Sequence, residues 1–131
     1  MLSLNIAIFP LIYIIKQGDL IMSLKKIEAI EKKIEATSQI DAKIKEDLLD
    51  LMRSLKTELA ESKDISPDTA HSIADKTQAS AEKILSSDKK KNELQENIDS
   101  LQETVGEFEV SHPKLVQVIN RLCMMLSDIG I

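Results

Sequence analysis

An all-α fold is what this sequence predicts: an antiparallel helical hairpin or bundle with a coiled-coil-like seam and a short C-terminal helix. Three observations lead there. Apolar residues recur at three- and four-residue steps along most of the chain. Two Phe, one Tyr, no Trp, three Gly and three Pro among 131 residues leave too few turn-formers for a many-stranded sheet. Charged residues make up 30% of the chain, the composition of long helices with one apolar stripe. Sandwiches, barrels and glycine-rich nucleotide-binding folds are disfavoured.

Residues 1–21 stand apart from a single helical domain over 22–131. Met1 to Ile15 is almost wholly apolar and stops at Lys16, Gln17, Gly18 and Asp19. A spanning helix needs about 20 apolar residues, and Pro10 interrupts this run. As a signal peptide it lacks a basic start and a small-residue cleavage site. A third reading takes Met22 as the start of translation, since Gln17-Gly18-Asp19 can be encoded by CAG-GGA-GAT, which resembles a bacterial ribosome-binding site. Mis-assigned start, membrane anchor, and signal or core segment thus remain the readings of 1–21. Ser23 is placed as the N-cap that opens the folded unit.

Helix 24–36 follows from Leu24, Ile27, Ile30 and Ile34, with Lys25, Lys26, Glu28, Lys32, Lys33 and Glu35 opposite. Thr37 and Ser38 offer capping hydroxyls, so the chain breaks and restarts. Helix 39–62 carries the stripe Ile40, Ile44, Leu48, Leu51, Leu55 and Leu59, widened by Leu49 and Met52. Ser66, Pro67 and Asp68 open a third helix, 67–108, interrupted near residue 87. Its first part is poor in large apolar groups, with Ala70, Ala74, Ala79 and Ala81 around Ile73, Ile84 and Leu85. That composition predicts little burial and a mobile helix or linker over 66–93.

Leu94, Ile98, Leu101, Val105 and Phe108 then step four, three, four and three, a heptad seam and the predicted association surface. It is expected to bury a narrow strip against another helix, within the chain or from a second copy. Gly106 weakens the end, and Pro113 keeps His112 out of the helical region. The last helix, 113–129, is capped by Ser111 or His112 and carries Leu115, Val118, Ile119, Leu122, Leu126 and Ile129, with Val116 and Met125 at its margins. Gly130 is expected to end it and Ile131 to fold back.

Phe108-Glu109-Val110-Ser111-His112-Pro113-Lys114-Leu115, followed by Asn120, Leu126 and the ending Ile129-Gly130-Ile131, resembles a family of short bacterial proteins classed as a domain of unknown function. Its members typically read Phe-Glu-x-x-His-Pro, a leucine-rich helix with an Asn, and a closing Met-Gly-Ile; Ile129 stands where Met is usual. Residues 24–61 resemble that family's opening pair of helices, while 66–90 is longer than usual in it. The resemblance implies bacterial origin, small size and a helical fold, and no reaction.

Seventeen Lys and Arg against 22 Asp and Glu give a net charge of −5, which disfavours a nucleic-acid partner. The run Lys89-Lys90-Lys91 leads into Glu93 and Glu96 and reads as a solvated joint. Cys123 has no disulfide partner in the chain, which suits a reducing cytoplasm. It lies between apolar helix positions and reads as a small buried hydrophobe.

His112 is of a type that trades protons near neutrality, and Glu109 is placed to orient it, but no nucleophile accompanies them; capping of the last helix is the expected role. His71 has no neighbour at metal-ligand spacing and reads as a surface residue. Met124 and Met125 could adapt to a partner surface, though filling a core is the commoner use of methionine. Glu46, Asp47 and Asp50, with Glu58 and Glu61, read as solvated helix faces.

No catalytic residue, metal or cofactor is therefore expected, and the chain is read as no enzyme. The expected function is structural: self-association, or clasping of another helical protein, through leucine stripes. The alternative is a membrane-tethered cytoplasmic module, a membrane partner being expected only if residues 1–21 belong to the native protein.

Overall fold

The apolar spacings become five helices in the computed structural model, which describes the backbone of residues 2–62, 64–86 and 91–130 and the side chains of 18, 20–62, 64–86 and 92–130. They are α1 (Leu2–Ala36), α2 (Ala42–Glu61), α3 (Pro67–Leu85), α4 (Lys91–Gly106) and α5 (Pro113–Gly130). No strand occurs among the described residues.

Ion pairs and hydrogen bonds between helices give the directions. Lys26 pairs with Asp75 and Lys33 with Glu82, so α1 and α3 run parallel. Lys45 Nζ donates to the Glu35 carbonyl oxygen and Lys56 pairs with Glu31, so α2 returns antiparallel to α1. Lys76 donates to Thr104 and Lys83 pairs with Glu93, so α4 opposes α3. Helix contacts close a ring in the order α1, α2, α5, α4, α3, and α5 also reaches α3 across it. The ring encloses one core in which Ile30, Leu55, Ile73, Leu101, Leu122 and Leu126 are fully buried. Burial of such side chains contributes about 2 kcal/mol each.

Several boundaries differ from the sequence expectation. The backbone of α1 is continuous from Leu2 to Ala36, so Ser23 is a buried mid-helix residue and not an N-cap. A hydroxyl caps a helix only where the chain turns, and nothing between Gly18 and Met22 forces a turn. The readings of 1–21 that depend on its side chains fall largely outside the described residues.

α2 starts at Ala42, later than expected, because Asp41 Oδ2 accepts the Lys43 N–H at 3.2 Å. Ile44, expected on the buried stripe, is 40% exposed.

α3 opens as predicted, with Ser66 Oγ accepting from the Thr69 N–H at 3.2 Å and Pro67 in the first turn. The expectation that it buries little is overturned. Ala70, Ile73, Ala74, Thr77, Ala81 and Ile84 are all buried, and α3 packs against α1, α4 and α5. Small side chains let neighbouring helices approach closely. The two buried hydroxyls satisfy themselves on the helix backbone, Thr77 Oγ1 to the Ile73 carbonyl at 2.7 Å and Ser80 Oγ to that of Lys76 at 2.9 Å. The predicted helix 67–108 is two antiparallel helices. Their joint at 87–90, with Lys89 and Lys90 of the basic run, lies outside the described residues.

α4 stops at Gly106, and the turn to α5 is stitched by the Phe108 N–H to the Val105 carbonyl at 2.9 Å and the His112 N–H to the Phe108 carbonyl at 2.7 Å. In α5, Val116 is buried and Val118 only partly so, the reverse of the expected order. Gly130 lies inside the last helical turn with no positive φ, so it is not the expected left-handed terminator. Its small size has another reason: a Cβ there would overlap Leu94 Cδ2, so glycine lets α5 close against the start of α4.

Candidate functional site

The motif residues Phe108, Glu109, His112, Pro113, Leu115, Asn120, Leu126 and Gly130 form no common site. His112 and Gly130 sit at opposite ends of α5, about 27 Å apart at 1.5 Å per residue. Leu115 and Leu126 are core residues, Asn120 is exposed, and Ile131 lies outside the described residues.

The Glu109–His112 pair that the spacing allows is not formed, and the expected side-chain capping of α5 by these two residues is not seen either. Glu109 is exposed, and His112 Nε2 stands 3.0 Å from the Asp64 carboxylate, with the Phe108 ring 6.0 Å away at 56°. The ring therefore ties the α2–α3 connection to the α4–α5 turn. At the start of α5 the His112 carbonyl accepts the first helical hydrogen bond, from the Val116 N–H at 3.2 Å, while its ring is engaged with Asp64.

Other ionisable groups also join helices. His71 Nε2 is 3.2 Å from both Lys26 Nζ and the Asp75 carboxylate, making a half-exposed knot between α1 and α3. Glu31, the most buried acid described, meets Lys56 at 2.6 Å between α1 and α2. No group of three or more His, Cys, Asp or Glu suited to a metal occurs among the described residues. Cys123 is buried as expected; burial first, and then the charge of Asp99, pushes its thiol up to about 11. Such a thiol is protonated and unreactive at neutral pH.

The predicted association seam is taken up inside the chain. Leu94, Ile98, Leu101 and Val105 are buried in its own core, and Phe108 is half-buried in the turn beyond α4.

Between α2 and α5 lies an open groove of about 640 Å³. Ile44, Leu51, Met124, Met125 and Ile129 supply its apolar surface, and Asp47, Asp50, Ser54, Arg121 and Asp128 its rim. Met124 is 66% exposed, although it is a large apolar residue in the middle of a helix. Asp50 is held by Arg53 at 2.9 Å. Nothing in this lining pairs a nucleophile with a base; its chemistry is that of an apolar contact with charged edges. A second, polar depression of about 500 Å³ between α3 and α4 holds Lys76, which donates to Thr104, among Asp68, Glu103 and Glu107.

Sequence reading allowed Met124 and Met125 a partner surface, with core filling as the commoner use, and did not place Ile44 beside them. Nor did it find Asp64, which stands 48 residues from His112 and carries no local signal.

Among the described residues no helix is long and apolar enough to cross a membrane. No curated protein and no solved structure matches the chain. The family model for a domain of unknown function (DUF4404) matches residues 48–131, from the middle of α2 through the groove-forming face of α5, and the chain belongs to that family.

Proposed function

We propose that this protein is an association module and not an enzyme, and that its α2/α5 groove receives a helix of another polypeptide copy or partner. One observation carries this reading. Met124 and Ile44 are both exposed in an open groove that Leu51, Met125 and Ile129 also line, while the leucine and isoleucine stripes of α3 and α4 are closed in the core. Exposed apolar side chains rimmed by charge are the usual anatomy of a protein contact, and methionine adapts to a partner's shape.

Against catalysis stands the use made of the ionisable groups: the pairs of Lys26, Lys33, Glu31 and His112 all bind one helix or turn to another. The buried, protonated thiol suits a reducing cytoplasm. Bacterial origin, with the Phe108 to Pro113 stretch as family signature, belongs to the same reading.

The test is a photo-crosslinking amino acid placed at Ser54 on the groove rim, with Glu28 on the exposed face of α1 as control. Polypeptide adducts in cells from position 54 and not from position 28 are expected. Equal adducts, or none, would contradict the proposal.

A further inference from the structure

The order of charges along α5 identifies what fills the groove. Arg121, Met124, Met125 and Asp128 stand at i, i+3, i+4 and i+7 and therefore share one helix face. Arg121, Met124 and Asp128 are exposed and Met125 is half-buried. This pattern is its own complement when reversed. A two-fold axis crossing α5 between Met124 and Met125 exchanges position 121 with 128 and position 124 with 125. Each Arg121 guanidinium then faces the Asp128 carboxylate of the other copy, and the methionines of both copies meet between the two ion pairs.

Resting on the association function above, we propose that a second copy of this chain occupies the groove, in an antiparallel dimer centred on Met124 and Met125. The rim carries Asp47, Asp50 and Asp128 against Arg121, with Asp50 already held by Arg53. A uniformly acidic helix would be repelled there, and a uniformly basic one would leave Arg121 without an opposite charge, whereas a second copy brings both signs. A parallel pair of α5 helices would set Arg121 beside Arg121. Of the two orientations of a second copy, the reversed one satisfies both charges and covers the methionines, and a two-fold contact of this kind closes on itself as a dimer.

Sedimentation of the full chain over a concentration series tests the proposal through a charge exchange. The native protein is expected to dimerise. Arg121→Asp and Asp128→Arg each turn two attractive pairs into repulsive ones, and each is expected to raise the dimer Kd by at least about tenfold. The double variant restores opposite charges and is expected to regain most of the native affinity. Both positions are exposed, so unchanged far-ultraviolet circular dichroism verifies that the variants fold. A dimer indifferent to these substitutions, or a double variant no better than the singles, would overturn the proposal. A monomeric native protein that still gives Ser54 adducts with a different polypeptide would overturn the second-copy occupant and leave the association function standing. A monomer without adducts would overturn both.

Discussion

Cys123 shows how a single position separates structure from chemistry. In the folded chain its thiol holds its proton to about 11, against 9.0 for an ordinary thiol, because burial disfavours the thiolate and Asp99 adds a like charge. Below pH 9.0 the thiol is protonated in both folded and unfolded chains and leaves stability unaffected. Between 9.0 and about 11 only the unfolded chain releases the proton, so stability falls as pH rises through that window. Urea unfolding at pH 8, 9.5 and 10.5 is expected to show a loss that Cys123→Ala flattens; equal pH slopes in both proteins would contradict the burial. Iodoacetamide at pH 8 is expected to label the thiol only in denaturant. His112 makes a different point at the same scale. Its family motif invites a catalytic reading, yet its ring faces Asp64 and joins two connections.

At the scale of the element, α3 carries most of what the sequence concealed. Hydropathy undervalues alanine, threonine and serine, but in a crowded ring a small side chain is what lets helices come close. Ile73 is wholly buried there, so Ile73→Ala is expected to destabilise the protein by about 3 kcal/mol. Ala74→Leu, which overfills the α3 face, is expected to cost about 2 kcal/mol. Chemical denaturation measures both, and losses below about 0.5 kcal/mol would return α3 to the status of a loose linker.

The legible elements were those whose signals are local. Ser66-Pro67 opens α3, Pro113 opens α5, and the heptad steps from Leu94 to Val105 place α4's buried edge. Tertiary features left no such trace. Ser23 looked like a cap because its hydroxyl precedes an amphipathic run, but the helix passes through it. Gly130 looked like a terminator, yet its role depends on Leu94, far away in sequence. The groove needed the same knowledge, since Ile44 continues α2's apolar spacing and only the placement of α5 leaves it uncovered.

On the whole-molecule scale, the ring of helices takes up most of the apolar stripes among the described residues of α2 to α5, including the seam that looked available to a partner. A small helical protein that closes its own core has few surfaces left for function. Here the α2/α5 groove couples exposed methionine to a charge order that its own reversal satisfies. The most direct measurement is methionine oxidation by dilute peroxide, read by mass spectrometry on intact cells and on dilute purified chain. Met22 at 58% exposure and Met124 at 66% serve as matched probes, with buried Met52 as the protected reference. In the dilute chain Met124 should oxidise about as fast as Met22. In cells it should lag several-fold because the groove is filled; a Met124 that keeps pace with Met22 there would contradict association through this face.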